Sequence, residues 1–85
     1  MVKLCGTEWY VKEDKLLQDD GQCLFDDQVI LINDNRHKHR KGLALTHELL
    51  HVVFDNAGIS DDEELTSRLE HGVYEMIKAF PEEFK

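Results

Sequence analysis

The chain reads as an α+β protein: a small three-stranded antiparallel sheet packed on a central helix and a C-terminal helix. Three observations predict this. Short β-branched and aromatic segments fill residues 4–33. Two longer stretches, 36–56 and 60–79, carry apolar residues at helical spacing. Gly58 and Pro81 stand just past their ends, where a helix stops. With 85 residues the expectation is one domain, 1–85, with a thin core.

Residues 4–12 form the leading strand, rich in Trp9, Tyr10 and Val11. A polar turn follows over 16–21, with Asp19-Asp20-Gly21. Residues 22–25 and 28–33 are the next two strands, joined by Asp26-Asp27 as a two-residue hairpin connection. Val29-Ile30-Leu31-Ile32 is the strongest strand, branched and continuous. Asn33-Asp34-Asn35 breaks it and offers caps for a helix over 36–56. In that helix Leu43, Leu50, Phe54 and Ala57 share one face, while Leu45, Leu49, Val52 and Val53 cover much of the rest. A helix apolar on nearly every side is a central one. The last helix carries a stripe of Leu65, Leu69, Val73, Met76, Ile77 and Phe80, expected to pack toward the central helix.

Composition narrows the function. The formal net charge is −8, from 18 acidic and 10 basic residues. That argues against nucleic acid, whose binding needs phosphate neutralisation. One basic run, residues 36–41, reads as a solvated helix end or as a docking patch for an acidic partner. The first six residues lack the apolar run of a signal peptide, and no segment approaches ~20 apolar residues. A cytoplasmic protein with no membrane span is expected. Cys5 and Cys23 lie in apolar, strand-like segments and are expected to be reduced and buried.

The chemistry concentrates in His47-Glu48-Leu49-Leu50-His51, an H-E-x-x-H motif inside the central helix. Four residues is just over one turn, so the two imidazoles stand one above the other, ~40° apart around the axis. They are then placed to bind one Zn2+ together. Glu48 projects ~100° round from His47, near the metal without being forced to ligate it. It is the candidate general base, taking a proton from activated water and passing it to a leaving amine.

A catalytic zinc needs a third protein ligand. Phe54 and Ala57 occupy the positions where some related motifs place further residues, so the ligand comes from the last helix. Glu63 is the choice, on the flank of the apolar stripe. Glu64 points away from the stripe, Asp62 has a shorter side chain, and His71 lies on the outer side. Asp62, Glu64 and Glu70 remain the alternative ligands. Glu63 has a competing role, because Ser60-Asp61-Asp62-Glu63 fits an S-x-x-E capping box.

At these residues the chain resembles the minimal gluzincins, the ImmA/IrrE-like metallopeptidases often carried by phages and prophages. The resemblance runs from Gly6 to Phe80. It rests on Cys5-Gly6-Thr7-Glu8-Trp9, Gly21-Gln22-Cys23, the strand 28–32, Leu45-Thr46-His47-Glu48-Leu49-Leu50-His51 and Glu63-Glu64-Leu65-Thr66-Ser67-Arg68-Leu69. It implies zinc on His47, His51 and Glu63, with Glu48 as base. It also implies that strand 28–33 holds an extended peptide beside the metal. Thr66 departs from the family's more usual aliphatic residue. Ser67 stands where larger gluzincins keep Asn or Asp to orient a ligand histidine.

The expected function is thus a zinc-dependent metallopeptidase, one Zn2+ per chain, acting on a protein or peptide. The alternative is a noncatalytic, metal-stabilised protein-binding module. Tyr10, His71 and Tyr74 are the candidates to stabilise an oxyanion. A divalent metal other than zinc would suit the same ligands.

Overall fold

The computed structural model describes residues 1–60 and 62–82, and Asp61 and residues 83–85 lie outside that description. Six elements follow one another: β1 (Val2–Leu4), β2 (Thr7–Asp14), β3 (Gly21–Leu24), β4 (Val29–Asn33), α1 (Lys38–Asn56) and α2 (Glu63–Ala79). The class is α+β, as expected. The sheet differs: it has four strands in the order β1-β2-β4-β3, and it is mixed.

Two local causes explain the difference. First, the leading strand is really a hairpin. Cys5 and Gly6 both have positive φ, 54° and 79°, the backbone of a two-residue primed turn, and Leu4 pairs with Thr7 across it. Cys5 is therefore exposed on a turn, against the expectation of burial, and no disulfide joins it to Cys23. Second, residues 15–20 carry the chain past the neighbouring position, so β3 lies outside β4. β4 then pairs parallel with β2 and antiparallel with β3. The β3–β4 connection is four residues long, not two. It closes with the Gln28 N–H donating to the Phe25 carbonyl, and Gln28 takes the left-handed conformation, φ 56°. Because β4 is paired on both edges, the strand 28–33 has no edge to offer a peptide. The outer strand beside α1 is β3.

Trp9, Ile30, Ile32, Ala44 and Val52 form the core, with Leu4, Val11, Cys23, Leu45 and Leu49 packed around it. α1 touches β3, β4 and α2, so it is the central helix. Asn33 does not cap it. Its buried side chain donates to the Leu17 and Asp19 carbonyls at 2.7 and 3.1 Å and accepts from the Asn35 N–H, pinning the 15–20 loop. His37 stands at the N-cap without a side-chain bond. Three cations of the basic run 36–41 are paired within the molecule. Arg36 and Arg40 both hold Asp20, at 2.7 and 2.9 Å, and Lys41 holds Asp34 and Glu13.

α2 starts later than expected. Asp62 is its N-cap and accepts from the Leu65 N–H at 3.0 Å, so the Ser60 capping box does not form. The helix is also rotated from the expected packing. Thr66, fully buried, turns its hydroxyl to the Asp62 carbonyl. Tyr74 lies so close to Gly42 of α1 that a Cβ there would stand 2.5 Å from the phenol oxygen. Leu65, Leu69, Met76 and Phe80 of the stripe remain 37–56% exposed. No helix is long and apolar enough to cross a membrane, among the described residues.

Candidate metal centre

α1 and α2 bring three nitrogen and oxygen donors to one point. The Nε2 atoms of His47 and His51 lie 3.2 Å apart. Glu63 reaches both: its Oε2 is 3.0 Å from His47 Nε2, and its Oε1 is 2.8 Å from His51 Nε2. All the donor atoms lie within 4.8 Å of one another. Bonds of ~2.0–2.1 Å in a tetrahedral zinc site set donors ~3.3 Å apart, so this spacing fits the ion with small adjustments. Two imidazole nitrogens facing one another also need a cation or a shared proton between them.

Local sequence explains the convergence. The i, i+4 histidines stack on α1, and their rings meet edge to face at 4.8 Å between centroids. Glu63 is the first residue of α2. Because Asp62 caps the helix, the Glu63 side chain is released from that duty and turns to α1. Glu64, by contrast, points outward to Arg68 at 2.8 Å.

Glu70 completes the arrangement. Its Oε2 accepts from His47 Nδ1–H at 2.7 Å. That bond places the remaining lone pair on Nε2, toward Glu63 and His51. Sequence reasoning held Glu70 only as a possible ligand and looked to Ser67 for orienting a histidine. Ser67 lines the cleft, but the bond to the imidazole comes from Glu70. The signal was present: Glu63 and Glu70 are seven residues apart, about two turns, and so share a helix face.

Glu48 lies beside this cluster, 7% exposed. Burial pushes its carboxyl above the ordinary value. The positive charge of His47 and His51 opposes that shift, and Glu63 and Glu70 add to it. For His47, burial lowers the pKa, yet the Glu70 bond and the charges of Glu48 and Glu63 outweigh it, and the net shift is upward. Gly21 of β3 forms the wall against Glu48. A Cβ there would lie 3.2 Å from Glu48 Cγ and 3.3 Å from the Leu31 carbonyl oxygen.

A cleft of about 560 Å3 opens over His47, Glu48 and Glu70. Asp20, Gly21, His39, Arg40 and His71 line it too. Of the three oxyanion candidates only His71 reaches the cleft, 65% exposed. Tyr74 packs on Gly42 and His39. Tyr10 is on β2, half exposed and paired with Val29. His39 and Arg40 entered the sequence reading only as part of the basic run 36–41, because a basic helix start reads as solvated surface. No family model, curated protein or solved structure matches this chain, so the chemistry of the cluster rests on its own donors and their spacing.

Proposed function

We propose that the chain is a minimal zinc metallopeptidase of the gluzincin type, holding one Zn2+ on His47, His51 and Glu63. The observation that carries this is the convergence of three donors at zinc spacing beside a buried carboxylate in an open cleft. Three protein donors leave a fourth position, the arrangement of a catalytic rather than a structural site. Zinc bound there supplies a Lewis acid that draws the pKa of water toward ~7 and polarises a peptide carbonyl.

The protein's own groups do the rest. Glu48 accepts a proton from the attacking water and returns it to the leaving amine. Its burial raises the carboxyl pKa above the ordinary value, which favours taking up the proton. Gly21 keeps the carboxylate's wall thin and backbone-lined. Glu70 holds the His47 ring in register. A substrate peptide would lie along β3, the outer strand, by adding main-chain hydrogen bonds to its open edge.

A noncatalytic metal-binding module is the second reading. It is favoured by the placement of Tyr10 and Tyr74 away from the cleft, which leaves the exposed His71 as the one of the three oxyanion candidates that lines it. One experiment tests both. Metal-loaded protein should hold one zinc per chain, and His47→Ala and His51→Ala should lose it. Glu48→Gln should keep the metal and abolish peptide hydrolysis. A parent that retains no metal sinks both readings. Metal binding without turnover on a broad peptide library leaves the second.

A further inference from the structure

The exposed side of α2 has a use that the metal cluster does not explain. Leu65, Leu69, Gly72, Met76 and Ala79 follow one another at intervals of four and three residues. That is the spacing of a coiled-coil seam. Leu65, Leu69 and Met76 are 37%, 39% and 54% exposed, and Phe80 at the seam's end is 56% exposed. Gly72 lies in the middle of the helix, and nothing stands within 4 Å of where its Cβ would be. A glycine there weakens the isolated helix, and the open space above it is what a close neighbour would need. The seam centre is ~160° round the helix from Glu63, so it faces away from the metal cluster.

We infer that α2 pairs antiparallel with α2 of a second copy of this chain, about a two-fold axis. In that pairing Leu69 of each copy lies over Gly72 of the other, and Leu65 lies over Met76. Large side chains meet small or flexible ones, as a close-packed seam requires. The charges select the arrangement. Turning the second helix antiparallel in this register brings Arg68 of each copy beside Glu75 of the other, so two ion pairs flank the seam. Arg68 is 74% exposed and, among the described residues, paired with Glu64 one turn away, an exposed partner it can leave to swing across. An isologous contact repeats each such pair by symmetry. A lipid surface is the weaker occupant, because interfacial helices flank the apolar face with Lys and Arg, and here Glu64 and Glu75 stand there beside Arg68 and Lys78. The pairing leaves the cleft of each copy open and does not depend on the peptidase reading.

Sedimentation equilibrium on the full chain tests it. The parent should approach twice its 9.9 kDa mass as concentration rises. Arg68→Glu and Glu75→Arg should each weaken association by about tenfold, because each sets like charges together twice. The double variant R68E/E75R should recover most of the parent's affinity. Leu69→Glu should be monomeric while keeping the parent's circular dichroism and its zinc stoichiometry. A parent that stays at one chain mass to ~1 mM overturns the pairing. So does a double variant no tighter than either single one.

Discussion

Single side chains decide whether this site can hold a metal. The H-E-x-x-H spacing made His47, Glu48 and His51 visible in the sequence, because helical pitch alone puts the histidines together. Glu63 was legible from its position on the helix wheel, although its competing role as a cap was not resolvable there. What separated the two roles was Asp62, which takes the cap itself. Glu70 was a candidate ligand in the sequence, but its bond to His47 Nδ1 depends on how α2 is turned against α1, where Tyr74 packs on Gly42. A graded series follows. Glu63→Gln should weaken zinc affinity at least tenfold by removing a ligand. Glu70→Gln should weaken it by roughly 10–100-fold by disturbing the tautomer and orientation of His47. Glu64→Gln should do little, since its carboxylate faces Arg68. All three variants lose one negative charge near the same helix, so titration against a competing chelator isolates position from charge. Equal affinities for the Glu63 and Glu64 variants would remove Glu63 from the site.

At the scale of elements, helix existence was easier to read than helix beginnings. Both helices were expected and both start two or three residues later than their first polar signals, at Lys38 and Glu63. Ser60 and Asn33 looked like caps because their residue types favour that position. Asn33 is used to pin the 15–20 loop, and Asp62 takes the cap position that Ser60 offered. The cap assignment is testable. Asp62→Ala should cost about 1 kcal/mol of unfolding free energy, while Ser60→Ala should cost nothing measurable in the same denaturant titration. The opposite ranking would restore the Ser60 box. The short β1–β2 turn was missed for a different reason: Cys5 is not a residue that advertises a left-handed backbone.

For the whole molecule, the decisive feature is how charge and strand order hold the N-terminal sheet to α1. Asp20 joins Arg36 and Arg40, and Lys41 joins Asp34 and Glu13, so acids from β2 and the loops are fastened to the basic run at the start of α1. Hydrogen bonds from Arg36 and then Arg40 hold the Asp20 carboxyl below its ordinary value. A lowered folded-state pKa gives stability that is present above the unfolded value of ~3.9 and lost as pH falls through the folded one. Asp20→Asn should therefore lower stability at pH 7 by less than about 1 kcal/mol, because the pair is partly exposed, and the difference should vanish in strong acid. Urea titrations at both pH values read this directly, and a difference that grew on acidification would reverse the assignment. The sequence showed the strands but not their order, because neighbours along a chain usually pair and here β2 and β3 do not. That order has a temporal meaning. The sheet is two local ribbons, β1–β2 and β3–β4, each closable by a short turn on its own. They join only along the β2–β4 line. Non-local joining is slow compared with hairpin closure. Every donor of the candidate metal cluster lies after that line in the chain, so synthesis from the N-terminus delivers all four strands before the first donor histidine, His47.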